Sequence, residues 1–317
     1  MKVGLLSCVR DEGPFLLEWV AYHLLRGFDP IVVYSNDSSD GTTELLDTLD
    51  RAGVLTHVLQ QLAPSQAPQF VAADIAFDHP ELQAADWLIW LDVDEFLYCT
   101  HWNNDVRDMA ENMSEIADVV CINWLNFGSG GVEKWSPGLV IEQFLHRGPE
   151  NSSRNIMYKS LFKRSNKVRG FGLHRPFMKS DFRESGGRIV NTSFKPMHDE
   201  AYRWTSRARH KQGDAPMELV SHENAAIFHY PVKSRESFEG KRRRGQGTKA
   251  LDSDDRAIRF RERYWMIYNQ NAVSDSRMLE CVEPVTQKMN ELLKLPEVAA
   301  AHAACLEGYA KLLNPET

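Results

Sequence analysis

Short apolar runs alternate with stretches of helical periodicity over the first hundred positions of the chain. Val3–Val9 reads as a first strand, closed by the turn Arg10-Asp11-Glu12-Gly13-Pro14. Pro14 can open a helix, and residues 15–26 carry Leu16, Trp19, Val20, His23 and Leu24 at helical spacing before Gly27 ends the pattern. A second apolar run at 31–34 leads into the polar turn Ser35-Asn36-Asp37-Ser38-Ser39-Asp40-Gly41-Thr42. A helix from Thr42 or Thr43 to about Ala52, a third strand at 54–59 and a helical pattern at 66–77 follow. The order strand, helix, strand, helix, strand, helix, strand predicts right-handed crossovers and a mostly parallel sheet.

The fourth strand organises the rest. Trp87-Leu88-Ile89-Trp90-Leu91 has the length and aromatic content of a strand buried on both faces, and Asp92-Val93-Asp94-Glu95 follows at once. Side chains repeat every second residue, so Asp92 and Asp94 share one side while Val93 turns back into the protein. Such a pair of hard oxygens suits Mg2+ or Mn2+, which take one or two carboxylates and leave their other positions to water and phosphate. A solvated acidic turn is the alternative, and the apolar strand in front of the acids weighs against it. Ligands of parallel sheets bind beyond the carboxyl ends of the strands, which brings the turns at Arg10 to Glu12, Asn36 to Asp40 and Asp92 to Glu95 to one edge.

Beyond residue 100 the signals thin out. A strand at 119–124 precedes the glycine-rich loop Asn126-Phe127-Gly128-Ser129-Gly130-Gly131, and Tyr158–Lys163 reads as a strand returning through Phe171-Gly172-Leu173-His174-Arg175-Pro176. His174 is open between ligand, acceptor contact and buried structural histidine. Lys195-Pro196-Met197-His198-Asp199-Glu200 sets a histidine beside two acids, in a site or in a solvated turn. Ala226-Ile227-Phe228 delivers His229 at a strand end, Pro231 stops the ladder, and Ser234 can cap a helix running to the basic stretch Lys241-Arg242-Arg243-Arg244 before Gly245. A neutral imidazole, the Lys233 ammonium and a helix N-terminus suit a nucleoside diphosphate leaving group, with His229 as a further metal ligand. The basic stretch itself is open between phosphate binding and a solvated face. Past Asp254 the pattern is helical, with an aromatic stripe at Tyr264, Trp265 and Tyr268 and apolar stripes at 279–293 and 299–313 that could pack on the catalytic domain or form a homodimer contact.

Composition changes the picture in two ways. A chain of 317 residues that is 43% hydrophobic has room for a large core, and its net charge of -7 argues against a general nucleic-acid partner. Five scattered cysteines without a Cys-x-x-Cys pair suggest neither a disulfide framework nor a zinc site. With no signal-like leader and no apolar stretch near the roughly 20 residues of a membrane span, a cytoplasmic protein is expected.

The turn Asn36-Asp37-Ser38-Ser39-Asp40-Gly41-Thr42, followed later by Asp92-Val93-Asp94-Glu95-Phe96, resembles family 2 glycosyltransferases of the GT-A fold. It is nearest the branch with an Asp-x-Asp-Glu-Phe signature, also similar to family 92, and His229-Tyr230-Pro231-Val232-Lys233-Ser234 matches that branch's His-Tyr-x-x-Lys-Ser. The resemblance implies an α/β, GT-A type Rossmann-like sandwich over residues 1–250, with a nucleotide-binding half at 1–100, an acceptor half at 101–250 and a C-terminal helical extension at 251–317. It implies a nucleotide-sugar donor, a saccharide or other hydroxyl acceptor, and Mn2+ or Mg2+. Asn36, Asp37 and Asp40 would meet base and ribose beside Arg10 or Glu12, Lys233 the phosphates, and Asp94 the metal, with Asp92 on the ribose or a metal-bound water. Trp124, Asn126, Phe127 and His174 would border the acceptor. For an inverting enzyme Asp199 or Glu200 is the expected base and Asp181 the reserve, while Glu95 would orient a loop. A metal-dependent nucleotidyltransferase or phosphohydrolase also wants Asp-x-Asp on a strand end, but no Gly-Lys-Thr phosphate loop is present. A non-catalytic carbohydrate-binding module would explain the aromatics but not the acidic pair.

Overall fold

The computed structural model describes residues 1–203 and 214–314. The strands of its main sheet are β1 (Val3–Val9), β2 (Ile31–Ser35), β3 (Thr56–Leu59), β4 (Trp87–Trp90), β5 (Glu95–Cys99), β6 (Val119–Asn126), β7 (Tyr158–Lys163), β8 (Ile189–Asn191) and β9 (Ala225–His229). Among the described residues they form one nine-stranded sheet in the order β3-β2-β1-β4-β7-β6-β9-β5, with β8 beside β6. β3, β2, β1 and β4 are mutually parallel, as are β8, β6 and β9, whereas β7 is antiparallel to both β4 and β6 and β5 is antiparallel to β9. Only β7 and β5 therefore run against the common direction, and the carboxyl ends of β1, β2, β4, β6 and β9 open onto one edge. The mostly parallel α/β sheet expected from the sequence is the sheet that forms.

The helices that matter for the site are α1 (Gly13–Leu25), α2 (Thr42–Arg51), α3 (Pro68–Ala76), α4 (Arg235–Arg244), α5 (Glu262–Tyr268), α6 (Leu279–Leu292) and α7 (Pro296–Leu313). Helix α1 starts two residues earlier than the apolar pattern suggested, because Pro14 sits in its first turn, where the missing N–H costs nothing. Ser234 caps α4 as read from the sequence, its hydroxyl accepting from the Ser237 amide. Strand β5 was not foreseen: its five residues are all buried and follow the acidic turn directly, so they read as part of it. Its place is fixed from α1, where Trp19 Nε1 donates to the Glu95 carbonyl at 3.1 Å and the Tyr22 hydroxyl to the Leu97 carbonyl at 2.8 Å.

Helices α6 and α7 pack on the amino-terminal half of the chain. α6 lies on α1, and α7 on α1 and α2, so the apolar stripes considered for a dimer contact face helices of the same chain. The approach of α7 to the polar loops is close: a Cβ on Gly308 would lie 2.6 Å from the Asp40 carbonyl oxygen, and one on Gly13 2.7 Å from Cys305 Sγ. The five cysteines are free, and no described helix is long and apolar enough to cross a membrane.

Two outcomes follow from this packing. Gly308→Ala is expected to lower the stability by about 1–3 kcal/mol, the cost of overfilling a close-packed contact, read as a fall in the urea midpoint; an unchanged midpoint would contradict the contact. The second concerns His23, fully buried against Trp19, Phe28 and Phe96, whose Nδ1 donates to the Trp19 carbonyl at 2.9 Å. Burial pushes its pKa down to about 3. A folded pKa below the unfolded one means that stability is complete above pH ~6.5 and is lost as the pH falls toward the folded value. Between pH ~6.5 and ~5 this group alone should cost about 2 kcal/mol. Wild type should lose that much more than His23→Asn over the interval in urea titrations; parallel losses would contradict the assignment.

Candidate active site

The turns after β1 and β2 are built as one unit. Asp11, held at a left-handed φ of 48°, accepts from the Ser39 amide at 2.7 Å and the Ser39 hydroxyl at 3.2 Å. Asp40 accepts from the Gly13 amide at 2.9 Å and from the amide and hydroxyl of Thr42 at 2.9 and 2.5 Å. Arg244 of α4 closes the turn from above, pairing with the Glu12 carboxylate and donating to the Arg10 carbonyl at 2.7 Å. Its counter-charge, and not local sequence, sets Glu12 against the basic helix.

The acidic turn after β4 has a different environment for each acid. Asp92 Oδ2 accepts from Lys159 Nζ at 3.0 Å, and its Oδ1 from Trp90 Nε1 at 3.1 Å and Gln69 Nε2 at 3.3 Å. Lys159, on β7, is 1% exposed and also meets Glu95 Oε2 at 3.1 Å and the Leu173 carbonyl at 3.1 Å. Burial would discharge that lysine, but Asp92 and Glu95 outweigh it and hold its pKa above the ordinary value. Burial pushes the Glu95 carboxyl up to about 8 against the pull of Lys159. Both oxygens of Asp92 are thus committed to N–H donors.

Asp94 faces the other way. Its Oδ2 accepts from Lys241 Nζ at 2.6 Å, and its Oδ1 stands 3.8 Å from His229 Nε2. Burial alone would raise the Asp94 carboxyl, but the Lys241 and Lys233 ammonium groups overcome it and hold it below the usual range. The tautomer of His229 follows from its neighbours. Asn126 donates from its amide nitrogen to the Arg154 carbonyl at 2.9 Å, which leaves its Oδ1 as the acceptor facing His229 Nδ1 at 2.8 Å. Nδ1 must carry the proton, so Nε2 presents a lone pair toward the Asp94 carboxylate. Burial pushes the pKa of His229 down to about 3 despite Asp94, which keeps the imidazole neutral. Two electron-pair donors facing one another is an arrangement a divalent cation resolves. No cluster of three or more His, Cys, Asp or Glu residues suited to a metal occurs among the described residues. An ion held by this pair would have to take its other ligands from phosphate and water.

These groups line a cleft at the carboxyl edge of the sheet, together with Arg10, Glu12, Asn36, Trp124 and His174. The Trp124 ring contacts two imidazoles, 4.2 Å from His229 and 5.5 Å from His174. Several expected site residues lie elsewhere. Asp40 is 1% exposed and spent on the first turns of α1 and α2, so it braces the loop instead of meeting ribose. Asp37 is exposed beside Asn36 and does not line the cleft. Asn126 is buried behind His229, and Phe127 packs on Phe228 and Tyr230, so both support the site from within and neither lines the cleft. Lys233 lines a neighbouring cavity of about 320 Å³, its Nζ 4.3 Å over the Phe15 ring, and the position against Asp94 Oδ2 is taken by Lys241. Asp199 is exposed and paired with Arg183 at 2.8 Å, Glu200 and Asp181 are exposed, and none of the three lines the cleft.

The sequence reading passed over Lys159, Gln69, Arg256 and Arg259. A lysine between Tyr158 and Leu161 in a buried strand was the available signal, since a buried ammonium requires an acidic partner. The spacing of Lys241 and Arg244 was another, because residues three apart share one helix face. Replacing Lys159 by Met should leave Asp92 and Glu95 without their cation and cost about 3 kcal/mol, at the low end for a broken buried pair because Asp92 is partly exposed. Urea unfolding checks this; a loss below about 1 kcal/mol would contradict it.

The fold and the cleft can be set beside known proteins. A protein of Oryza sativa subsp. japonica named as a glycosyltransferase family 92 protein is 32% identical over 111 residues, covering 34% of this chain and 18% of the relative. One of Ricinus communis with the same family name is 28% identical over 145 residues, covering 41% of this chain and 24% of the relative. The chain therefore spans no more than about a quarter of the length of these relatives. Among solved structures, S. aureus TarS 1-349 in complex with UDP-GlcNAc aligns with 99% of this chain and 90% of its own at 11% identity and a TM-score of 0.39. Residues 7–137, which supply the loops after β1, β2 and β4 and the whole of β6, match glycosyltransferase family 92.

Proposed function

We propose that this chain is a metal-dependent glycosyltransferase that moves a sugar from a nucleotide-diphosphate sugar to a hydroxyl acceptor with inversion. The observation that carries the reading is the Asp94 carboxylate opposite the His229 lone pair at 3.8 Å, with Lys241 on its other oxygen, at the carboxyl edge of a parallel sheet. The family 92 match over the same loops supports it.

Asp94 and His229 would hold Mn2+ or Mg2+, which supplies Lewis-acid neutralisation of the diphosphate as the bond from sugar to phosphate breaks. Lys241 and Arg244, three residues apart on one face of α4, present two fixed cations to the leaving diphosphate. Asn36 and Arg10 with Arg256 line the part of the cleft beyond β1 and β2, where the nucleoside belongs. Asp92, locked by Lys159, Trp90 and Gln69, gives a rigid acceptor for a ribose hydroxyl or a water. Trp124 offers an apolar wall to the sugar.

The test incubates the chain with UDP-, GDP-, ADP- and dTDP-hexoses and Mn2+. Release of nucleoside diphosphate with free sugar or glycoside is expected. Nucleoside monophosphate with sugar phosphate would instead indicate a phosphohydrolase. Asp94→Asn should lower the rate at least about 100-fold, and EDTA should abolish it reversibly. Full activity in that variant would overturn the reading.

A further inference from the structure

Every carboxylate lining the cleft is already paired with a cation: Glu12 with Arg244, Asp92 with Lys159 and Asp94 with Lys241. An inverting displacement still needs a group that takes the acceptor's proton, and an ion-paired carboxylate is a poor one. The described cleft residues offer two free imidazole lone pairs. That of His229 faces Asp94. The other belongs to His174, whose Nδ1 lies 3.1 Å from the Tyr158 carbonyl oxygen. A carbonyl can only accept, so Nδ1 carries the proton and Nε2 is the basic nitrogen. Nε2 has no hydrogen-bond partner among the described residues, on a side chain that lines the cleft. The Trp124 ring contacts this imidazole at 5.5 Å and that of His229 at 4.2 Å.

We propose that His174 is the general base that deprotonates the acceptor hydroxyl, an assignment that rests on the transferase reading above. As the acceptor oxygen bonds to the anomeric carbon, its proton passes to His174 Nε2. The electron pair of the breaking carbon–oxygen bond leaves with the diphosphate. The imidazolium, its Nδ1–H still on the Tyr158 carbonyl, returns the proton to solvent. Burial, with the Lys159 ammonium adding to it, keeps this histidine unprotonated well below its ordinary pKa, so the acceptor form is the one present before reaction.

The experiment uses the full chain, Mn2+ and the nucleotide hexose that wild type turns over, with water or an added hydroxyl acceptor, and compares wild type with His174→Ala and His174→Gln. Gln retains an N–H toward the Tyr158 carbonyl and cannot take a proton, so it separates folding from basicity. Both variants should release nucleoside diphosphate about 100- to 10,000-fold more slowly. The dissociation constant for the free nucleoside diphosphate should stay unchanged, and added imidazole should restore the Ala variant at least tenfold. A variant with wild-type turnover overturns the base assignment alone. So does a slow Ala variant that imidazole fails to rescue, which marks a positional role. A wild-type chain that turns over none of the nucleotide hexoses overturns the transferase reading itself, and the base assignment with it.

Discussion

A carboxylate 6% exposed at the rim of a sheet must be neutralised, and the site is built around doing so for Asp94. Lys241 reaches it at 2.6 Å from α4, and His229 meets it from the end of β9. Helix α4 can hold Lys241 there because Arg244, one turn on, is anchored to Glu12 and to the carbonyls of the first loop. The same helix therefore fixes the counter-charge of Asp94 and the shape of the turn after β1. Asp92, two residues away, takes an entirely different partner, Lys159 of β7.

The second constraint is packing from the far end of the chain. Helix α7 approaches the Asp40 turn so closely that Gly308 has no room for a side chain, and Cys305 does the same to Gly13. Asp40 is spent internally, on Gly13 and Thr42, to keep that turn in place. Loops that bring Asn36 and Arg10 to the cleft are thereby held by a helix more than 250 residues distant in sequence. Rigidity of that kind favours preorganised binding over ordering on contact.

Much of this was legible in the residue pattern. The strand from Trp87 and the Ser234 cap of α4 each rest on local rules, and each element stands where those rules put it. What was not legible depends on side chains from distant segments. Nothing near Asp40 announces that the distant Gly13 amide will take its second oxygen, and nothing near Lys233 shows that the turn sends it against Phe15 while Lys241 goes to Asp94. Asp199 and Glu200 were chosen by position along the chain; their segment lies at the surface beside Arg183. Lys159 went unread because a charged residue in a buried strand gains its meaning only from the partner that tertiary structure supplies.

The central claim is that Asp94 Oδ1 and His229 Nε2 form one half of a cation site completed by a nucleoside diphosphate. Anomalous diffraction at the manganese edge, from crystals holding Mn2+ and the nucleoside diphosphate that binds, tests it most directly. The account predicts a single peak in contact with both of those atoms and with phosphate oxygens. A nucleotide seated in the cleft with its manganese elsewhere, or with none at all, would contradict it.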